Sequence, residues 1–282
     1  MTESMRQNGK TIIYTDLDGS FLDEKNYSFR ESLPALRVAQ ERGIPVIFCS
    51  SKTRAEIEHL RKATEVNDPF IVENGGAIHA PEGYFPFTVE DSMSRDGYDV
   101  IELGESYLRL VDLFRVLRAG SPNFDIVGFS DLTAKELALE CGMTLDEAER
   151  AKARGYTEPF RFSNSAPEKI DIFLERIRQS GRRLSVGDRY YHLQGNHDKG
   201  RAVEILTRLY QRAYGEVTTI GIGYSPNDAP MLAKVAFQIV VNRPSGGSHP
   251  ELVAQFPQSR LTKGAGPTGW AEAVTRLASE KA

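Results

Sequence analysis

Residues 11–23 read TIIYTDLDGSFLD: a run of β-branched and aromatic residues that ends in two carboxylates one residue apart, followed at once by glycine. The apolar part predicts a strand over Thr11–Asp16. Close carboxylates repel each other, so Asp16 and Asp18 placed this way call for a cation or a proton between them.

Working outward, β-branched runs alternate with helical ones. The stretch from Ser32 to Arg42 reads as a helix closed by Gly43, and IPVIFC (residues 44–49) as a second strand. Thr53 and Glu56 predict a capping box that opens the helix TRAEIEHLRKAT, and FIVENGGAIHA (residues 70–80) reads as a third strand, a glycine turn and a return strand. The second half resumes with a helix over KGRAVEILTRLYQRAYG, a strand over VTTIGIG, a short helix over NDAPMLAKV and a strand over FQIVVN. A last helix, PTGWAEAVTRLAS, has proline in its first turn. Alternation of this kind predicts an α/β fold: a Rossmann-like parallel sheet core with helices on both faces. Between the halves the texture changes. Capping boxes at Thr133–Glu136 and Thr144–Glu147 and the strand-like segments FDIVGF, EPFRF and RRLSV point to an inserted α+β cap domain. Residues 1–85 and 193–282 then form the core, and residues 86–192 the cap.

The chain has 282 residues, enough for one elaborated domain or two ordinary ones, and a formal charge of −4 with both signs interspersed. No basic stripe suggests nucleic acid, and no apolar run reaches the roughly 20 residues of a membrane span. MTESMRQNGK at the start carries no apolar leader, so a soluble, cytoplasmic protein with a small-molecule partner is expected. Cys49 and Cys141 lack metal-like spacing and read as reduced packing thiols.

In open parallel sheets, ligands bind beyond the carboxyl ends of the strands. Four polar groups fall there: Asp16-Leu17-Asp18-Gly19, Ser50-Ser51-Lys52, Lys199, and Ser225-Pro226-Asn227-Asp228. Singly they read as a solvated turn, the approach to a helix cap and a surface lysine; together, in this order, they suit phosphoryl transfer to a carboxylate. A divalent cation bridging Asp16, Asp18 and Asp228 would relieve the repulsion, and Asp16 would attack phosphorus. Asp18 would turn its carboxylate aside for acid–base work while its carbonyl faces the metal. Ser50 and Lys199 would hold phosphoryl oxygens, and Gly19 would allow a sharp turn. GIGYSP is a weak dinucleotide motif, since its third glycine is missing.

These four groups resemble the motifs of the haloacid-dehalogenase-like phosphatases with the larger type of cap. FIVENGGAIHAPEGYF, EPFRF, YYHLQGNHDKGRAV, SPNDAPML and TKGAGPTGWAEAV further resemble the mannosyl-3-phosphoglycerate phosphatase family over nearly the whole chain. The resemblance implies Mg2+-dependent hydrolysis of a phosphorylated glycosyl glycerate, in the synthesis of a compatible solute. Asp16 is then nucleophile, Asp18 acid and base, Ser50, Lys199 and Asn227 phosphate holders, and Asp16, Asp18 and Asp228 metal ligands. Glu73, Asn74, Gly75, Glu158, His192, Gln194 and Asn196 are implied as contacts to sugar or glycerate. Of the cations Lys52, Arg154, Arg182, Arg183, Lys199 and Lys263, spacing does not tell which face the cleft. One departure stands out. Where that family has an aspartate that commonly ligates the metal, this chain has Tyr224, and a neutral phenol does not replace a carboxylate on magnesium. Either Asp228 and waters complete the coordination, or the metal site is weakened. Two alternatives therefore stand beside the phosphatase: a ligand-binding or regulatory homologue, and another sugar-phosphate phosphatase or phosphotransferase. Mannosyl and glucosyl substrates are not distinguished.

Overall fold

The computed structural model describes residues 9–121, 124–163, 166–187 and 189–279. The first eight residues, read above for a leader, lie outside it. The first core segment runs β1 (Lys10–Thr15), α1 (Leu33–Glu41), β2 (Val46–Phe48), α2 (Arg54–Thr64), β3 (Phe70–Val72), β4 (Ala77–Pro81), β5 (Met93–Arg95) and β6 (Tyr98–Glu102). The insertion follows with α3 (Tyr107–Ala119), β7 (Ile126–Gly128), α4 (Ala134–Cys141), α5 (Leu145–Lys152), β8 (Thr157–Phe162), α6 (Pro167–Gln179), β9 (Arg183–Val186) and β10 (Tyr191–Gln194). The chain then returns to the core with α7 (Lys199–Tyr214), β11 (Val217–Gly223), α8 (Ala229–Leu232), β12 (Phe237–Asn242), α9 (Pro250–Gln255), β13 (Arg260–Ala265) and α10 (Gly266–Ser279).

Five parallel strands in the order β13-β12-β11-β1-β2 form the central sheet. Side-chain alternation along β1 sends Ile13 to one apolar layer, with Leu36, Ile57 and Trp270. Ile12 and Tyr14 go to the other, with Val203, Leu206 and Met231. The α/β core with an added antiparallel layer is as the sequence predicts. All three expected capping boxes form, at Thr53, Thr133 and Thr144.

The third strand departs from a simple parallel reading. Ile71 bridges Cys49 beside β2, and the chain then folds back through Glu73-Asn74-Gly75, all with positive φ, to pair β3 with β4. β5 and β6 extend this antiparallel sheet in the order β3-β4-β6-β5, so residues 93–102 hydrogen-bond to the first core segment although sequence grouped them with the insertion. The insertion's own sheet, β7-β8-β10-β9, includes all of β10, through which the boundary at residue 192 passes. Strand β13 and helix α9 carry no clear pattern in LTKGA and PELVAQ, and sequence reading left them unassigned. Among the described residues no helix is long and apolar enough to cross a membrane.

Trp270 joins the last helix to the first strand: its indole Nε1 donates to Thr15 Oγ1 at 2.8 Å, and Thr15 Oγ1 donates to the carbonyl of Asp16 at 2.8 Å. Trp270 is fully buried against Phe21 in an edge-to-face contact. Trp270→Phe keeps most of the apolar area but leaves a smaller ring and strips the buried Thr15 hydroxyl of its donor. Urea unfolding should show a loss of about 2–3 kcal/mol with the fold retained.

Candidate active site

Strands β1 and β11 are neighbours, so their carboxyl ends bring Asp16 and the 224–228 turn together. Helix α7 begins beside them and puts Lys199, fully buried at its side chain, between two acids. Its Nζ donates to Asp16 Oδ1 at 2.7 Å and to Asp228 Oδ1 at 2.6 Å. Asp228 is also fully buried. Its Oδ2 accepts the backbone N–H groups of Tyr224 (2.8 Å) and Ser225 (3.0 Å), so it closes its own turn as well as holding Lys199. Burial by itself lowers the Lys199 pKa, but Asp16 and Asp228 together outweigh it and hold the ammonium above its ordinary value. One lysine does not balance two carboxylates. Burial, and then the charge of Asp228, raise the Asp16 carboxyl to about 7.

Asp18 leaves the strand on a turn in which Gly19 has φ +77°, and its carboxylate pairs with Lys52 Nζ at 2.9 Å while remaining partly open to solvent. Burial lowers the Lys52 pKa, and Asp18 and Glu56 together more than reverse this. Ser50 is fully buried; its Oγ accepts from the Lys52 N–H at 3.2 Å, leaving its own proton to donate. Asn227 accepts from Ser225 Oγ at 2.6 Å through Oδ1. Asp16, Asp18, Ser51, Lys52 and Asn227 open onto one cavity of about 890 Å³ between core and insertion.

Tyr224 is nearly buried. Its hydroxyl donates to Glu24 Oε2 at 2.9 Å, and its ring lies where a Gly19 Cβ would meet it at 2.5 Å. Gly19 is thus required twice, by its positive φ and by this ring. No group of three or more acidic, histidine or cysteine side chains suited to a metal exists among the described residues. The donors that do converge, Asp16 and Asp228 with the Asp18 carbonyl close by in sequence, are hard oxygens. This chemistry fits Mg2+.

The residues implied as sugar or glycerate contacts separate into groups. His192 lines the cavity; burial first, then Arg154 and Lys199, push its pKa down to about 3, so it presents a neutral imidazole. Glu73, Asn74, Gly75 and Gln194 lie instead in the layer joining core to insertion, and Asn196 is exposed. Glu158 is fully buried inside the insertion, where its Oε1 accepts Ser130 N–H and Oγ–H at 2.9 and 2.7 Å. Alternation along β8 explains it: Pro159 faces the cavity, whereas Glu158 and Phe160 face inward. Of the cations singled out by sequence, Lys52 and Arg154 line the cavity. Arg182 pairs with Glu105 and Arg183 with Asp198, and Lys263 is exposed. Sequence reading missed Lys25, Arg189 and Arg243, which line the cavity and have no carboxylate partner among the described residues. They sit in loops with no motif to flag them. Both cysteines are free thiols; Cys141 Sγ lies 3.2 Å from the Tyr190 hydroxyl at the cavity wall.

The sequence profile of the haloacid dehalogenase-like hydrolases matches residues 13–98. The glucosyl-3-phosphoglycerate/mannosyl-3-phosphoglycerate phosphatase of Methanococcoides burtonii is 39% identical over 268 residues, 95% of this chain and 97% of that protein. The protein of the same name from Persephonella marina is 37% identical over 278 residues, again 95% and 97%. The chain belongs to the mannosyl-3-phosphoglycerate phosphatase family of haloacid dehalogenase-like hydrolases. It is a phosphoric monoester hydrolase. The fold agrees: a haloacid dehalogenase-like hydrolase from Bacteroides thetaiotaomicron superposes with a TM-score of 0.66 at 17% identity, covering 95% of this chain and 99% of that one.

The excess carboxylate has a consequence for this phosphatase without metal. Native Asp16 binds a proton between its unfolded pKa, near 4, and about 7, so ionising it costs stability as pH rises through that window. Asp16→Asn leaves Lys199 with one carboxylate and no surplus charge. In EDTA the variant should melt higher than the unaltered protein, by about 1–2 kcal/mol at pH 8 and by much less at pH 5. An equal shift at both pH values would show that the charge argument is wrong.

Proposed function

We propose that the protein hydrolyses mannosyl- or glucosyl-3-phosphoglycerate to the glycosylglycerate and phosphate, through a phosphoryl group carried on Asp16. One observation carries this reading. The cavity is lined by Asp16 and Asp18 together with Lys25, Arg189 and Arg243, three cations without carboxylate partners among the described residues, which suits a substrate with a phosphate and a second anionic group.

Asp16 Oδ attacks phosphorus, and the ester oxygen leaves with a proton supplied by Asp18, which Lys52 holds at the cavity surface. Asp18 then takes a proton from the water that cleaves the acyl phosphate. Lys199 fixes the Asp16 carboxylate through Oδ1 and balances part of the charge beneath it. Ser50 supplies a hydroxyl donor for a phosphoryl oxygen, and Asn227 its amide. Mg2+ held by Asp16, the Asp18 carbonyl and Asp228 would neutralise charge on the phosphoryl oxygens.

Phosphate release from both substrates, titrated with Mg2+, tests the reading. Asp16→Asn should lower kcat by roughly 10³-fold or more. Arg189→Met and Arg243→Met should each raise KM for the phosphoglycerate substrates about 10- to 100-fold, while KM for p-nitrophenyl phosphate, which lacks the carboxylate, moves far less. Turnover of p-nitrophenyl phosphate without turnover of either phosphoglycerate ester would refute the substrate assignment. Tyr224→Asp addresses the departure in the last motif: phosphate release appearing only in that variant would mean that tyrosine disables the metal site.

A further inference from the structure

The segment Glu73-Asn74-Gly75 touches the Ser50–Lys52 loop, the start of α7 and the insertion without lining the cavity. On the core side, the Glu73 N–H donates to the Lys52 carbonyl (3.0 Å) and the Asn74 N–H to the Ser50 carbonyl (2.9 Å). A Cβ on Gly75 would lie 2.2 Å from the Asp198 carbonyl and 3.0 Å from the Lys199 nitrogen, so this backbone packs directly on the start of α7. On the insertion side, the Glu73 carboxylate, 1% exposed at the residue, sits in a cage of donors. Gly155 N–H donates to Oε1 at 2.7 Å; Tyr156 N–H, Thr157 N–H and Thr157 Oγ1 donate to Oε2 at 3.0, 2.9 and 2.8 Å; and Arg154 Nε stands 3.3 Å away. Asn74 Nδ2 reaches Ser185 Oγ in β9 at 3.0 Å, and that hydroxyl donates to Gln194 in β10 at 2.9 Å.

We infer that Glu73 is a positioning residue that sets the insertion in register over the phosphate site. Its carboxylate gathers the backbone entering β8, which carries Pro159 to the cavity, together with Arg154, whose Nη2 also donates to the Ser51 carbonyl at 2.9 Å. The backbone of the same residue and its neighbour is tied to the loop that holds Ser50 and Lys52. Both oxygens are occupied by the protein, so Glu73 makes no contact with substrate. Its effect falls on substrates that reach the insertion. This rests on the proposed substrate only for its kinetic arm.

The test compares the unaltered protein, Glu73→Gln and Thr157→Val, all with Mg2+. Glu73→Gln keeps the shape but turns an amide NH2 towards backbone N–H donors. Hydrogen exchange of the amides at 155–157 should quicken about tenfold or more, with β1 and β11 unchanged. The kcat/KM for glycosyl-3-phosphoglycerate should fall about 30- to 100-fold, and that for p-nitrophenyl phosphate less than about threefold. Unchanged exchange at 155–157, or equal loss on both substrates, overturns the inference. If Glu73→Gln does not fold, Thr157→Val, which removes one donor at constant shape, decides: faster local exchange supports the role and none overturns it. Should the unaltered protein cleave only p-nitrophenyl phosphate, the substrate assignment fails and the exchange data alone judge Glu73.

Discussion

A lysine ammonium with no exposed surface is tolerable only if anions meet it, and Lys199 meets two. Much of the architecture serves that contact. It requires the end of β1, the turn after β11 and the first residue of α7 to converge within hydrogen-bonding distance, which adjacent parallel strands and a helix starting at their carboxyl ends provide. The Trp270–Thr15–Asp16 chain steadies the backbone at Asp16 from the far end of the sequence, and Asp228 locks its own turn with its second oxygen. Such a network leaves one surplus negative charge. That surplus makes Asp16 costly to ionise.

The second constraint is how the chain leaves the sheet. Two non-glycine residues in succession, Glu73 (φ +46°) and Asn74 (φ +59°), adopt the left-handed region, at a cost of about 1–2 kcal/mol each. The hydrogen bonds that surround them offset this cost. Because this exit is bonded to Ser50 and packs on the start of α7, the direction of the insertion is set beside the contact of Lys199 with Asp16 and Asp228. The cavity arises between core and insertion, with the insertion's sheet contributing Pro159 of β8 and His192 of β10.

What was legible in the sequence was whatever repeats a local rule. The β1 strand, the three Thr–Glu capping boxes, the helix at Lys199 and the four polar groups at strand ends all follow from spacing and propensity, and the structure brings Asp16, Lys199 and Asp228 into contact. What was not legible depends on which face of an irregular element looks where. Glu158 and Pro159 are neighbours in sequence and opposite in space, and only the sheet decides that the proline faces the cavity. Glu73 looked like a polar residue waiting for a ligand because its partners, 154–157, are some 80 positions away. Arg189 and Arg243 lie in loops, where no periodicity marks direction. Strand β13 was missed because its pattern is exposed and glycine-broken, and pairing with β12 alone makes it a strand.

Tyr224 shows how packing rather than charge can settle the residue beside the Asp228 turn. Gly19 leaves room for a flat ring, and the ring fills it. The phenol then reaches Glu24 on the loop that follows the paired aspartates, tying that loop to the turn closed by Asp228. A carboxylate at position 224 would sit beside Asp228 and add to a cluster already one charge in excess. With tyrosine there, negative charge near the cavity is instead carried by Glu24, on a loop whose position the tyrosine hydroxyl holds. The strand end therefore contributes fewer charges and the loop between Gly19 and Tyr27 contributes more, so the charge at the cavity depends on the order of that loop.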